Sequence, residues 1–264
     1  MNKFILFVTV LFTGLLTAQI SENRTVGNFS KLKASAGVDV FYTISEKISI
    51  TVETDDAEKM KLIKTEVENG TLVISIDTKG YKAKKTKGKK KSNNVSFING
   101  VRFEVLKITV SGPNLEAVKV SSSADFKFMN TNKTSRLELV VSSSGSVAGT
   151  FECSDLFIYA SSSGDVSAMV TANAVEIESS SSSDVTLSGK TIEIKVKASS
   201  SSSCDLKKLL AENATVLASS SADVAVHATK SAEAKASSSA DVVVYGNPAN
   251  FSKEVSSSGS VTKK

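Results

Sequence analysis

The sequence predicts an all-β protein: a single-chain parallel β-helix with stacked Ser/Asp rungs of about 18–21 residues, preceded by an irregular β-rich N-terminal part. Three observations predict it. A unit of the form SSSxDV recurs at a nearly constant period, the signature of a solenoid. Short runs that alternate apolar and polar residues lie between the copies, the period of a half-buried strand. Trp is absent and Pro occurs only at 113 and 248, while Ser and Val abound and helix-forming runs are scarce beyond residue 70, a composition that favours strands. Because parallel crossovers overwhelmingly take one hand, the coil is expected to be right-handed.

In chain order, residues 1–18 come first. Lys3 supplies a positive start, Phe4 to Leu16 an apolar run, and Thr17-Ala18 the small residues before a cut near Gln19. This is the pattern of a signal peptide, and the run is shorter than the ~20 residues of a membrane span. No later segment is apolar enough to span a bilayer, and no cysteine follows the run to carry a lipid anchor. The expectation is an exported protein: periplasmic, on the outer surface or secreted.

Residues 19–120 form the β-rich N-terminal part. "KISITVET" at 47–54, "GTLVISID" at 70–77 and "RFEVLKITV" at 102–110 alternate as strands, and "DDAEKMKLIKTEV" between the first two places acids before lysines, as a short helix or turn does. "SAGVDV" at 35–40 echoes the repeat, so this part reads as the first, irregular rungs of the same coil. Within it lies a basic loop at 79–91, with Lys79, Lys82, Lys84, Lys85, Lys87, Lys89, Lys90 and Lys91 and no acid. That loop accounts for the net charge of +5, and the remainder is slightly acidic. With only Tyr81 available to stack on a base, nucleic acid is not an expected partner; the loop reads as a solvated segment or a contact for an anionic glycan or headgroup.

Residues 121–264 hold eight rungs: "SSSADF" from 121, "SSSGSV" from 142, "SSSGDV" from 161, "SSSSDV" from 180, "SSSCDL" from 201, "SSSADV" from 219 and 237, and "SSSGSV" from 256. The strands before the serines read "LELVV" at 137, "LFIYA" at 156, "VEIES" at 175, "IEIKVKA" at 192, "TVLA" at 215 and "AEAKA" at 232. Leucine-rich repeats lack support, since their Leu/Asn ladder is missing, and helical repeats need a 3.6-residue period. Alternation carried through rung six puts Ala218, Ser220, Ala222, Val224 and Val226 inside. It therefore predicts that the middle serine and the small Ala/Gly/Cys residue both point inward at a cramped corner.

The other parity yields the candidate binding residues, an outward ladder of Asp125, Asp165, Asp184, Asp205, Asp223 and Asp241. Carboxylates ~5 Å apart repel by roughly 0.8 kcal/mol per pair in water. Their retention implies hydrogen bonds from backbone N–H or serine hydroxyls at the bend, or cations between rungs. A calcium β-roll would need Gly-Gly-x-Gly-x-Asp, which does not occur, and no metal or other cofactor is expected. Cys153 and Cys204 fall two or three rungs apart, too far for a disulfide, and Cys204 reads as a buried thiol at a small inward position.

The order of elements, "FSKLKASAGVDVFYTISEKISITVET", then "KTEVENGTLVISI", then "KITVSGPNLEAVKVSSSADF" and serial SSSxDV units, resembles the putative auto-transporter adhesin head GIN domain family of Bacteroidetes and related bacteria. The resemblance spans about 24–262 and implies an extended β-helical protein of the cell envelope; no catalytic residues come with it. The chain departs from that family in its lysine-rich insertion and in the regularity of its serine triplets. It also shows no translocator barrel, so self-secretion is not expected.

Function classes separate on the same residues. A polysaccharide-processing enzyme on a β-helix needs carboxylate clusters with Arg, His and aromatic platforms. Here Arg is limited to Arg24, Arg102 and Arg136, and the single histidine, His227, has no evident partner. The expectation is a non-enzymatic adhesin-like binding module for a glycan, matrix or envelope surface component. The alternative is a structural envelope protein without a specific ligand.

Overall fold

The computed structural model describes residues 19–81 and 96–264; the signal-peptide reading of 1–18 and most of the basic loop fall outside them. The chain forms β1 (Ile20–Arg24), β2 (Lys31–Ser35), β3 (Asp39–Ile44), β4 (Ser49–Thr54), the single helical turn α1 (Ala57–Met60), β5 (Ile63–Glu68), β6 (Thr71–Ile76), β7 (Ser96–Ile98), β8 (Val101–Phe103) and β9 (Leu106–Gly112). Asp56 caps α1 by accepting from the Glu58 N–H at 2.8 Å, and the lysines that follow the acids run on into β5 rather than extending the helix.

The regular part continues with β10 (Ala117–Ser121), β11 (Asp125–Phe128), β12 (Asn132–Ser142), β13 (Ser146–Ser161), β14 (Asp165–Ser179), β15 (Asp184–Ala198), β16 (Ser203–Ala218), β17 (Asp223–Ala236), β18 (Asp241–Tyr245), β19 (Asn250–Val255) and β20 (Ser260–Lys263). Consecutive rungs pair in parallel: β13 runs from Ser146↔Asp165 to Ala160↔Ser179 against β14, and β14 from Asp165↔Asp184 to Ser179↔Ala198 against β15. The chain is a parallel β-solenoid.

The echo at 35–40 is a rung. β2 pairs in parallel with β10, and β3 with β11, so "SAGVDV" lies directly before the first serine triplet. Beyond it the chain changes style. β6 joins β2 in parallel and β5 joins β6 antiparallel, while β9 joins β3 in parallel and β4 and β1 follow antiparallel. Hairpin strands thus cover the first coil. Arg24 on β1 ties the two groups of strands by donating to the Ile63 and Met60 carbonyls at 2.5 and 3.0 Å.

The interior follows the alternation that the sequence showed, with Val166, Val170, Val175 and Ile177 of one rung all buried. At the start it is aromatic: Tyr42, Phe126, Phe128 and Phe151 stack with centroids 5.0–5.8 Å apart. The Tyr42 hydroxyl, buried there, donates to the Pro113 carbonyl at 2.6 Å, and burial raises its pKa. Buried Asn132 closes the same region by bonding both the N–H and the carbonyl of Leu115, at 2.7 and 3.0 Å. Cys153 and Cys204 are free thiols, each pushed up to about 11 by burial first.

Candidate functional site

The serine triplets make one edge of the solenoid. In each rung the second and third residues both have positive φ, as at Ser220 (52°) and Ser221 (60°). The N–H of the small residue closes back on the first serine, Ala222 to Ser219 at 3.2 Å. Two successive left-handed residues with that bond define a type I′ turn. The expectation of an inward middle serine is therefore corrected: Ser220 is exposed, because the turn takes up two residues at its tip without changing which side the flanking residues face. The left-handed conformation costs a serine roughly 1–2 kcal/mol. Its compensation is a bond between rungs, since the third serine's N–H donates to the second serine's carbonyl in the next rung: Ser163 to Ser181, Ser182 to Ser200 and Ser201 to Ser220, at 3.0–3.1 Å.

The small residue after the triplet does point inward. A Cβ at Gly164 would lie 2.5 Å from the Val141 carbonyl of the preceding rung. Where serine occupies this position it uses that approach: the Ser183 and Ser202 hydroxyls donate to the Ala160 and Ser179 carbonyls at 3.0 and 3.1 Å, which satisfies a buried hydroxyl.

Next comes the ladder. Register stacks Asp39, Asp125, Ser146, Asp165, Asp184, Ser203, Asp223, Asp241 and Ser260 in one column. Asp205 is not in it. Cys204 instead stacks between Val185 and Val224, and Asp205 between Thr186 and Ala225. The five serines 199–203 allow more than one placement of the turn, and the structure turns at Ser200 and Ser201. The extra residues of that rung bulge out after Leu206. Cys204 is buried as expected, but at the valine position rather than the corner. The corrected column places a serine after every second aspartate, so no carboxylate stacks between two others. Burial raises the carboxyl pKa of Asp39 and of Asp165; their neighbours Asp125 and Asp184, respectively, add to the rise. At Asp125 relief comes from the next rung, where the Ser146 hydroxyl bonds the carboxylate. Among the described residues, no three Asp, Glu, His or Cys side chains gather as a metal site.

A groove runs beside the serine edge, with a volume of about 710 Å³. One bank is the outward column Val140, Tyr159, Glu178, Lys197, Leu217, Lys235 and Glu254, aligned by register. The other is the first serine of each turn, and the chain between the banks passes through Ala160, Ala198, Ala218 and Ala236, which are buried. At ~4.8 Å per rung it extends about 29 Å. Tyr159 and Leu217 are exposed large apolar side chains in it, at 37% and 42%. The charges pair along the column, Lys197 with Glu178 at 2.8 Å and Lys235 with Glu254 at 3.1 Å, and those carboxylates raise both lysine pKa values. The wall is neutral overall.

Sequence reasoning missed Asp39, Ser203 and the whole groove. Reading the second residue before each serine triplet down the rungs would have found the groove, because that column mixes Tyr, Leu, Lys and Glu. In the basic loop, Lys79 is described, its N–H donating to Asp77 at 3.0 Å. Lys82, Lys84, Lys85, Lys87, Lys89, Lys90 and Lys91 lie outside the described residues. His227 is half-buried and stacks on Tyr245 of the next rung.

Fold and edge together define a parallel β-solenoid whose long side carries an open, ion-paired groove. The chain belongs to the family described as "Putative auto-transporter adhesin, head GIN domain", which matches residues 28–248. Among solved structures it is similar to a protein described as a putative lipid binding protein from Parabacteroides distasonis, at 23% identity and a TM-score of 0.81, over 93% of this chain and 96% of that one. It is also similar to a putative adhesin from the same species (18%, TM-score 0.80, 94% and 97%) and to one from Parabacteroides merdae (16%, TM-score 0.79, 93% and 96%). At these identities the likeness shows the fold. No curated protein matches the chain.

Proposed function

We propose that this chain is an exported cell-envelope binding module, without catalytic activity, that holds a neutral glycan chain lengthwise in the groove beside its serine edge. The observation that carries the reading is the groove itself, continuous over successive rungs, with exposed Tyr159 beside one ion pair and Leu217 between the two. An aromatic and an aliphatic side chain offer apolar area to the C–H faces of sugars, while serine hydroxyls and paired Lys/Glu offer hydrogen bonds. Paired charges give a wall with no net sign, which suits an uncharged partner. The rungs bond one another continuously along the side, so a peptide has no open strand edge there to extend. The family supports an exported or surface protein that binds surface components, and the leader-like residues 1–18 support export.

The lipid binding description of the Parabacteroides protein names the competing occupant, an acyl chain lying along Tyr159 and Leu217. A screen of the mature protein against neutral and anionic glycans, matrix proteins and a fluorescent fatty acid separates the two, with residues 79–91 deleted in parallel. The reading expects neutral-glycan binding that survives the loop deletion and falls at least tenfold in Tyr159→Ala, with an unchanged melting temperature. Fatty-acid binding alone, or binding that vanishes with the loop, would replace it. The column Asp125, Asp165, Asp184, Asp223 and Asp241 is proposed as a fixture of the edge rather than a cation site.

A further inference from the structure

On the arm that follows the serine turn, β13, β14 and β15 match residue for residue, and so do β17, β18 and β20. β16, between them, does not. Against β15 its register slips between Asp205 and Lys208, and against β17 between Leu206 and Leu210. Leu206 and Leu209 stay buried, so two consecutive lysines, Lys207 and Lys208, are exposed together. Regular alternation would turn one of them inward; the bulge aims both out.

The two lysines have different surroundings. Lys207 turns back on Asp205, placing its ammonium 3.1 Å and its N–H 3.3 Å from the carboxylate. Lys208 makes no ion pair among the described residues, and residues 1–18 and 82–95 contain no acid to supply one. Asp205 is thus neutralised from within the bulge, and Lys208 keeps an uncompensated charge. It borders a cleft of about 360 Å³. Register gives the layout: Ser167, Thr186 and Asp205 stand in one column, Met169, Ser188 and Lys208 in the next. Met169 and Lys208 are two rungs apart, and the short side chain of Ser188 between them leaves the hollow. Met169 is 54% exposed above it.

The donors and acceptors define the ligand. Three hydroxyls both donate and accept, Asp205 accepts, and Lys208 only donates. An ammonium bonds an anionic oxygen more strongly than a neutral one, and the Met169 thioether is a soft apolar surface. A bare inorganic anion would use Lys208 and leave Met169 idle, with the Asp205 carboxylate nearby. We propose that the cleft binds an acidic sugar unit, its carboxylate on Lys208, its hydroxyls on Ser167, Thr186 and Asp205, and a C–H face on Met169. The site lies across the serine edge from the groove and stands independently of what the groove holds.

An NMR titration of the protein with glucuronate, glucose and sulfate tests this. The two sugars share a ring and differ in the carboxylate; sulfate carries charge without the ring. Glucuronate is expected to bind about tenfold or more tightly than either of the others, since only it makes both the charged and the neutral contacts. The shifted amides should be those of Ser167, Thr186 and Ser188. Lys208→Gln should lower glucuronate affinity to that of glucose, Lys208→Arg should restore most of it, and Ser188→Leu should abolish it by filling the hollow. Thermal melting confirms that each variant is folded. Absence of saturable glucuronate binding would overturn the proposal, as would sulfate binding equally well or a folded Lys208→Gln that binds as wild type does. Shifts at Tyr159 and Leu217 in place of the cleft amides would overturn it too, by moving the sugar to the groove.

Discussion

The first and last rungs of this solenoid have the same turn, the same ladder and very different interiors. Near the start the core contains Tyr42, Phe126, Phe128 and Phe151 in mutual contact, and antiparallel strands cover it. By β17 one inward arm has shrunk to Ala232, Ala234 and Ala236, and in the next rung Lys253 and Lys263 stand where aliphatic side chains stood. Backbone pairing between rungs stays parallel along the coil, whereas apolar burial tapers. In a structure whose rungs contact only their neighbours, stability is the sum of local terms, so this difference makes the aromatic end the anchor and the alanine end the place where opening begins.

Core truncation breaks or sharpens that contrast most directly. Phe126→Ala is expected to cost about 3–5 kcal/mol. Val244→Ala, two methylene equivalents smaller in the thin end, is expected to cost about 1.6 kcal/mol. Denaturant unfolding of both variants gives the two values, and native-state hydrogen exchange should find the slowest amides in β11–β14 rather than in β18–β20. Equal costs with uniform protection would show that the taper has no energetic consequence.

The turn is where the two ends agree, and a smaller effect tests it. Ala222 is fully buried against the preceding rung, while Ser221 sits exposed at the tip. Ala222→Leu should overpack the corner by about 1–3 kcal/mol, and Ser221→Leu should cost far less. Equal losses in melting temperature would contradict the type I′ assignment, which puts one side chain inside and the other out.

How much of this the sequence disclosed depends on what each residue's period could encode. Solenoid type, rung length and inward parity were legible because alternation and an 18–21-residue period are one-dimensional signals. The rung at 35–40 was legible for the same reason, although only three of its six letters match. The turn conformation was not, since alternation cannot distinguish a middle serine pointing inward from two left-handed residues at a tip. Asp205 was misplaced because serines 199–203 are interchangeable letters, and only the burial of Cys204 beside Val185 and Val224 fixes the register. The groove escaped notice because it belongs to no single repeat; it exists only where Tyr159, Lys197, Leu217 and Lys235 stand one above another.

The smallest expected effect concerns the aspartate column, which the two ends also share. The carboxyl pKa values of Asp39 and Asp165 are raised by burial and by a neighbouring aspartate. A raised carboxyl pKa means that the native state takes up its proton before the unfolded chain does. Each group therefore opposes folding at neutral pH, and its penalty disappears as pH falls through the folded value towards the ordinary 3.8. Asp165→Asn should stabilise the protein at pH 7 by only a few tenths of a kcal/mol, because solvent screens an exposed group. The difference from wild type should close near pH 3, and added calcium or chelator should leave both melting temperatures unchanged. If cations bridged Asp165 and Asp184, the signs would reverse: calcium would raise the wild-type melting temperature by mass action, and Asp165→Asn would lower stability at pH 7. Unfolding free energies of the two proteins at pH 7 and pH 3, with calcium and with chelator, decide between a column that merely tolerates its carboxylates and one that uses them.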